Sequence, residues 1–207
     1  MGKFLMAVIV LALAFSTSSN AQANLLTNPG FETSDLTGWT NEWNPSNVFT
    51  TAANPQSGSF EARNAFDGGD HQYVSGIVGG QQYRLTGYAY IPSGGSIDTT
   101  KWGSYIGLKF YNALDQELVN YQIDMQSPAL FARDTYNKAD TGWVVAPSTA
   151  VVARVRFGTW QSGVTPANPT DFDNFDLETQ AIPEPTSMLL LGTGLVGLVG
   201  LTRRKRA

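Results

Sequence analysis

Hydrophobic and polar residues alternate over three stretches in the middle of the chain. In residues 82–91, Tyr83, Leu85 and Ile91 share one parity, and Arg84, Thr86 and two tyrosines share the other. Residues 105–111 and 151–158 repeat this alternation, with aliphatic residues and phenylalanine on one side and charged residues or tyrosine on the other. A period of two is typical of β-strands that bury a single face.

The rest of the central region has the same character. No helical periodicity longer than two turns occurs between residues 24 and 180, and clusters of Gly, Pro, Asn and Ser separate short β-rich runs. Further strands are predicted at residues 24–26, 48–51, 60–64, 71–78, 117–123, 142–146 and 172–178. About ten strands in one domain predict an all-β fold, an antiparallel sandwich of two packed sheets.

The first 23 residues have a different pattern. Lys3 precedes an apolar run over residues 4–15, which is followed by a Ser/Thr-rich stretch and the small-residue pattern Ala21-Gln22-Ala23. This order is typical of a secretory signal peptide, cleaved after Ala21 or Ala23 and exported by the Sec machinery. The alternative, a membrane-spanning helix, needs about 20 apolar residues.

The C-terminal segment, residues 181–207, also differs from the centre. The triplet Pro183-Glu184-Pro185 is followed by an apolar stretch over residues 188–201 and by the basic cluster Arg203, Arg204, Lys205 and Arg206. Extended to residues 186–202, the segment would be about 26 Å long as a helix, which is marginal against the bilayer core of about 30 Å. Because basic residues stay on the cytoplasmic side, we expect a transmembrane helix with the domain across the membrane.

Together these C-terminal features resemble the PEP-CTERM sorting signal of exopolysaccharide-producing Gram-negative bacteria. The resemblance implies that Pro183, Glu184 and Pro185 are read by an exosortase, a membrane-embedded cysteine-dependent enzyme, and that Arg203, Arg204, Lys205 and Arg206 complete the signal. It also implies a protein that is held transiently at the inner membrane and then released or re-attached outside, in the extracellular space or at the cell surface.

Composition excludes several kinds of chemistry. Residues 24–180 contain 8 basic and 16 acidic residues, and this net negative charge argues against nucleic acid as a partner, because phosphate binding needs a basic face. The chain has no cysteine and one histidine, His71, so disulfides, thiolate metal sites and multi-histidine centres are excluded.

The sequence does not predict an enzyme. A hydrolytic triad would have to use His71, which we interpret as a surface or cap residue, and no Gly-x-Ser-x-Gly motif occurs. A glycosidase pair of carboxylates stays open, although most of the acidic residues lie in predicted turns.

Four short motifs carry a second resemblance. They are Asn-Leu-Leu-Thr-Asn-Pro-Gly-Phe-Glu at 24–32, Leu-Thr-Gly-Trp at 36–39, Gln-Ser-Gly-Ser-Phe at 56–60 and Asp-Phe-Asp-Asn-Phe-Asp-Leu at 171–177. Their order resembles galactose-binding-like jelly-roll modules, and among these the chain is most similar to the carbohydrate-binding modules attached to xylanases and glucanases. The resemblance implies a jelly roll over residues 24–180 in which the first and last strands are neighbours.

The jelly-roll resemblance also implies a structural calcium ion. Carried over by position, Glu32 and Asp173 would be side-chain ligands, and backbone oxygens of Gly30, Asp173 and the Ser57–Gly58 turn would complete the shell. Calcium prefers six to eight oxygen ligands, carboxylate and carbonyl mixed. The alternative is that Glu32 and Asp173 are edge-strand carboxylates exposed to water.

Sugar binding requires aromatic platforms beside polar groups that bond hydroxyls. One candidate is the outward face of the central strands, with Arg84, Tyr88, Tyr90, Tyr105, Lys109, Tyr111, Arg154 and Arg156; the other is a set of loop tryptophans, Trp102, Trp160 and Trp43. Another layer covering the tyrosines is an alternative. We expect Trp39 and Trp143 in the core.

These observations predict three segments: a signal peptide (1–23), a jelly-roll domain (24–180) and a sorting signal with a transmembrane helix (181–207). The predicted function is non-covalent binding of extracellular polysaccharide by an exported, exosortase-sorted protein. The alternative is a structural envelope or matrix protein without a specific glycan ligand.

Overall fold

The computed structural model describes residues 23–95, 98–163 and 167–180. The strands are β1 (Thr40–Trp43), β2 (Val48–Thr51), β3 (Glu61–Asn64), β4 (Gly68–Ser75), β5 (Gln82–Tyr90), β6 (Trp102–Tyr111), β7 (Glu117–Asp124), β8 (Tyr136–Asp140), β9 (Val144–Val145), β10 (Val152–Gln161) and β11 (Thr170–Thr179). A single turn of 3-10 helix at Pro45–Asn47 joins β1 to β2.

The strands form two sheets. One has five strands in the order β1-β4-β10-β6-β7, and the other has six, in the order β2-β3-β11-β5-β8 with β9 paired to β5. Every strand pair is antiparallel. The prediction of an all-β, two-sheet antiparallel sandwich is confirmed. The predicted signal peptide helix and C-terminal helix lie outside the described residues, and within those residues no helix is long and apolar enough to cross a membrane.

The alternation in the sequence places the core between the sheets. Leu85 on β5, Leu108 on β6 and Val155 on β10 are fully buried. Along β10 the neighbouring side chains on the other parity are only half-buried. Because side chains of a strand alternate between its faces, the residues predicted to face inward within these three strands do so. Val151 was also predicted to face inward, but it precedes β10 and is 40% exposed, so that prediction was wrong.

The N-terminal motif anchors the chain inside this core. Phe31 is fully buried and contacts Trp39, Phe157 and Phe175, with ring centroids 5.5, 5.8 and 6.1 Å away. Its backbone has a φ of 59°, an uncommon conformation for a large side chain. This turn allows Phe31 to point inward while the next residue, Glu32, stays exposed and accepts from the Ser59 N–H, in the segment before β3. Trp39 is buried, as predicted.

Two short strands were not predicted, and one predicted strand is absent. β1 and β8 carry mostly polar residues, and neither shows apolar alternation. Residues 24–26 form no strand, although the Leu25 N–H donates to the Leu177 carbonyl at 2.9 Å. This bond makes the beginning of the domain a neighbour of its last strand, as the jelly-roll resemblance implied.

Candidate functional site

The outer face of the five-stranded sheet carries a tryptophan that lies flat on the sheet. The strand register places Trp43, Gly69, Gly158 and Tyr105 in one row. A Cβ atom added at Gly69 or at Gly158 would lie 2.5 or 2.7 Å from the Trp43 ring. The Trp43 ring stacks on Tyr105, with centroids 6.1 Å apart and planes 18° apart. The two glycines therefore make the floor on which the indole rests.

A second tryptophan lies on the same face. Trp160 is two residues beyond Gly158 on β10, about 7 Å further along the strand. Gly103 on β6 is its neighbour in the register, and a Cβ there would be 2.3 Å from the Trp160 Nε1. Trp160 is 38% exposed and Trp43 is half-buried. We call this outer face of the five-stranded sheet, with Trp43 and Trp160 at one end, the platform face.

Charged groups continue the platform face beyond Tyr105. The Glu42 carboxylate lies 2.9 Å from an Arg154 Nη and 3.4 Å from the Arg156 Nε. Arg156 also donates to the Tyr105 hydroxyl at 2.6 Å, and burial raises the pKa of that hydroxyl well above its ordinary value. The arginines and Glu42 are mostly covered, so they are held in fixed positions beside the aromatic rings.

His71 lies beside the cluster formed by Glu42, Arg154 and Arg156. It is buried on β4, and Arg154 donates to its Nδ1 at 3.2 Å, which requires that nitrogen to be unprotonated. Burial, followed by the charges of Arg154 and Arg156, lowers the pKa of His71 to about 4. The interpretation of His71 as a surface residue was therefore wrong. Tyr73 packs edge-on against it at 4.9 Å.

The structure separates the predicted cluster of outward residues into two groups. Tyr105, Tyr111, Lys109, Arg154 and Arg156 share the platform face. Arg84, Tyr88 and Tyr90 also point outward as predicted, but from β5 in the other sheet. The expectation that all eight would meet was wrong, because β5 pairs with β11, β8 and β9 rather than with β6 or β10. Tyr105 and Tyr111 are buried, as the alternative for the four tyrosines anticipated, whereas Tyr88 and Tyr90 are only half-buried.

Two tryptophans are on the side opposite to the one predicted. Trp102 is fully buried, because it shares the inward parity of Ile106 and Leu108 on β6. The Arg133 guanidinium covers its ring at 4.8 Å, so Trp102 is wrong as a sugar platform. Trp143 is 41% exposed, and its assignment to the core was wrong.

The predicted metal ligands are brought together on the other side of the sandwich. The Glu32 carboxylate accepts from the N–H groups of Ser59 at 2.9 Å and Phe60 at 3.1 Å. A Cβ at Gly58 would be 2.4 Å from it. Asp173 accepts from the N–H of Ser57 at 3.2 Å, and a Cβ at Gly30 would lie 3.6 Å from its Oδ1. Glu32 and Asp173 thus both bond to residues 56–60, the segment that contains Ser57 and Gly58, and Gly30 lies beside Asp173.

The two carboxylates, Glu32 and Asp173, are oxygen ligands of the kind that calcium prefers. They accept from backbone N–H groups of residues 56, 57, 59 and 60. Burial raises the pKa of Asp173 to about 6, so a cation would stabilise its charged form. Among the described residues no group of three or more His, Cys, Asp or Glu side chains could hold a metal. A calcium ion here would therefore depend on two carboxylates and several backbone oxygens.

A buried acidic residue that was not predicted lies near Asp173. Glu61 on β3 is fully buried; its Oε1 accepts from the Asn54 N–H at 2.9 Å, and its Oε2 has no partner among the described residues. Burial raises its pKa, and the charges of Asp171 and Asp173 add to this effect. Asp171 itself is paired with Arg63 at 2.6 Å. No pattern in the sequence distinguishes Glu61 from an exposed strand residue.

Comparison with known proteins gives two kinds of match. Residues 181–206 match the family model of the PEP-CTERM protein-sorting motif, so Pro183–Pro185 and Arg203–Arg206 fall within it; all of them lie outside the described residues. This motif implies processing by exosortase, export and sorting to the cell surface. No curated protein sequence matches the chain.

Several solved structures share the fold. TmCBM61 in complex with beta-1,4-galactotriose aligns with 76% of this chain and 99% of its own, at 18% identity and a TM-score of 0.53. The CBM22-1 xylan-binding domain from Paenibacillus barcinonensis Xyn10C aligns with 80% and 100%, at 14% identity and a TM-score of 0.53. The enzymatically active domain of bacteriophage CBA120 tailspike protein 4 aligns with 76% of this chain at 13% identity and a TM-score of 0.58, but the match spans only 21% of the tailspike.

At these identities the likeness establishes the fold, and the motif match establishes the sorting signal. The chain thus combines a C-terminal PEP-CTERM sorting motif with a jelly-roll domain that is structurally similar to carbohydrate-binding modules.

Proposed function

We propose that this protein binds extracellular polysaccharide non-covalently through the platform face after export and sorting. The observation that supports this most directly is the pair of partly exposed indole rings, Trp43 and Trp160, on floors made of Gly69, Gly158 and Gly103. Indole faces stack on the apolar C–H side of sugar rings. A flat, partly exposed ring on a rigid sheet loses little conformational entropy when a ligand binds.

Hydroxyl-bonding groups lie beside these rings. Arg156 and Glu42 are held together at the centre of the face. Gly107 on β6 and exposed Gln122 on β7 occupy the next positions in the same row as Arg156. A Cβ at Gly107 would lie 3.4 Å from the Arg156 Cγ, so the aliphatic part of Arg156 lies against this glycine, with Gln122 next to it in the row. Guanidinium, carboxylate and amide groups on one face can bond the hydroxyls of a neutral sugar.

We expect binding without turnover. Glu42 is held between two guanidinium groups, and Glu117 is paired with Lys109 at 2.7 Å. The bond from Lys109 lowers the pKa of Glu117. A glycosidase needs a carboxylic acid that can protonate the leaving oxygen, opposed by a second carboxylate across a cleft. These ion pairs keep both carboxylates from that role.

We also propose that calcium stabilises the domain. Glu32 and Asp173 would bind the ion through their side chains, and backbone oxygens of Gly30, Asp173 and the Ser57–Gly58 turn would complete its shell. The support is that Glu32 and Asp173 both bond to residues 56–60, which include Ser57 and Gly58, and that Gly30 lies beside Asp173. The ion would join the N-terminal motif to the last strand in a chain that has no cysteine.

Glycan binding can be tested on arrays of bacterial exopolysaccharides and plant glycans, followed by affinity electrophoresis on each polysaccharide retained. Trp43→Ala and Trp160→Ala should each weaken binding roughly 2- to 10-fold, the range of aromatic contacts worth about 0.5–1.5 kcal/mol. Trp143→Ala is the matched control, because its ring is equally exposed but lies on the other sheet. Retention on no glycan would favour the structural matrix protein, and equal weakening by Trp143→Ala would contradict binding at the platform face. Release of sugar fragments would contradict binding without turnover.

A further inference from the structure

One end of the sandwich exposes an unusual number of apolar side chains. Val78 and Val145 are each 51% exposed, and Val151 and Trp143 are exposed at similar levels. Leu114, on the hairpin that joins β6 to β7, is exposed at the same end. Soluble domains rarely place several exposed apolar residues together unless the surface meets a partner or a membrane. We call this the exit end, because the described chain also ends there.

Hydrogen bonds hold the exit end together. The Ile77 N–H donates to the Val151 carbonyl at 3.2 Å, and the Gly80 N–H donates to the Ala146 carbonyl at 2.8 Å. These bonds join the β4–β5 turn to the β9–β10 loop. Gln82, at the start of β5, pairs with Val145 and accepts at its carbonyl from the Gln180 N–H at 2.9 Å. The last described residue therefore leaves the domain beside the exposed valines.

Charge is distributed unevenly between the two ends. The turn at 76–81 and the loop at 146–151 contain no charged residue, and the hairpin at 112–116 contains one, Asp115. At the opposite end the loops at 65–67, 91–101 and 125–135 carry five: Asp67, Asp98, Lys101, Arg133 and Asp134. The three loops of the exit end carry one charged residue, Asp115, and Glu117 follows at the start of β7. The exit end can therefore approach lipid at a lower desolvation cost than the opposite end.

The chain that follows Gln180 is short. Five residues, 181–185, separate Gln180 from the start of the apolar stretch at Thr186. Six Cα–Cα steps span at most about 22 Å. If residues 186–202 are in the bilayer, the exit end therefore stays close to its surface, whatever the conformation of the connecting residues.

We propose that the exit end rests against the phospholipid surface of the membrane until the sorting signal is processed. Val78, Val145 and Val151 contact the boundary between head groups and acyl chains, and Trp143 lies in the interfacial layer, where tryptophan is enriched in membrane proteins. In this orientation the strands run away from the membrane surface. Trp160, near the far end of the ten-residue strand β10, is held about 30 Å away from the lipid. The proposal requires membrane insertion of the C-terminal segment and does not depend on glycan binding.

The test uses the chain exported in a bacterial host that has no exosortase, so that the C-terminal segment is retained. The purified protein is reconstituted into vesicles of equal parts phosphatidylcholine and phosphatidylglycerol, with or without brominated acyl chains, which quench nearby tryptophan. Trp143 is one of five tryptophans, so brominated lipid should remove about a fifth of the emission if only this interfacial residue is quenched. Trp143→Phe should abolish the quenching.

The matched control is Trp160→Phe, which removes a tryptophan of similar exposure at the opposite end. This variant should keep the full quenching. Quenching that survives Trp143→Phe, or that disappears with Trp160→Phe, would overturn the proposal, as would the absence of any quenching. Flotation of the same vesicles reports separately whether the C-terminal segment inserts, and protein that fails to float would also overturn the proposal. No polysaccharide is present, so these outcomes are independent of the proposed glycan binding.

Discussion

The single histidine of the chain should make the domain less stable in acid. His71 is buried beside Arg154 and Arg156 from β10, Glu42 from β1 and Tyr73 from its own strand. Its neutral Nδ1 accepts from Arg154. Protonation would place a positive charge against that guanidinium. We therefore choose His71→Asn, whose side-chain oxygen can accept from Arg154 but does not titrate.

The size of the stability loss follows from the pKa of His71 in the unfolded chain and in the folded domain. Its pKa is 6.5 in the reference state and about 4 in the folded domain. Above pH 6.5 neither state is protonated, so His71 contributes no pH dependence. As the pH falls from about 6.5 to 4, the unfolded chain binds a proton that the folded domain does not, and the domain loses about 3 kcal/mol of stability. Asp173, whose pKa is raised to about 6, acts in the opposite sense, so only a comparison of variants isolates the histidine.

The assay is urea unfolding followed by tryptophan fluorescence at several pH values between 7 and 4, with a chelator present throughout. Between these limits the wild-type free energy of unfolding should fall by about 3 kcal/mol more than that of His71→Asn. Glu42 and the two arginines are the same in both proteins, so their contributions largely cancel. Parallel curves, separated by a constant amount at every pH, would refute the argument that His71 is held neutral by its surroundings.

Two further predictions concern the platform and the metal. Gly103→Ala should weaken glycan binding in affinity electrophoresis as much as Trp160→Ala, because the added Cβ would lie 2.3 Å from the Trp160 Nε1. Gly94→Ala is the control, because a Cβ at Gly94 meets nothing within 4 Å. Unchanged binding by Gly103→Ala would contradict the platform face as the binding site. Calcium at 100-fold above its Kd should add about 2.7 kcal/mol and raise the melting temperature by roughly 5–10 °C, as measured by scanning fluorimetry with and without chelator. Asp173→Ala should abolish this response and Asp124→Asn on β7 should keep it, while a wild-type curve insensitive to calcium would exclude the ion.

The alternation of side chains predicted which side of each strand faces the core, but not which strands are neighbours. Leu85, Leu108 and Val155 are buried as expected. The outward tyrosines of β5 nevertheless lie on the opposite side of the sandwich from Tyr105, because a period of two carries no information about pairing. β1 and β8 were missed for a related reason: their residues are mostly polar or partly exposed, so no apolar period marks them.

The positions of two tryptophans were predictable from parity. Extending the alternation of residues 151–158 by two positions places Trp160 with Arg154 and Arg156 on the outer face. Extending that of 105–111 backwards places Trp102 with Ile106 in the core. Gly103, which follows Trp102, is a residue type common in loops, and it hides this parity in the sequence. The position of Trp43 was not predictable, because it depends on glycines of two other strands that leave room for its ring.

The last strand has a consequence for how the sorting motif can be reached. Bonds from Thr179 and Gln180 to the Gln82 carbonyl fasten the polypeptide to its sheet only two residues before the Pro-Glu-Pro triplet. Three Cα–Cα steps from Gln180 to Pro183 allow at most about 11 Å. An enzyme that binds the triplet in extended form must therefore contact the folded domain, or the bonds of Thr179 and Gln180 to Gln82 on β5 must break first.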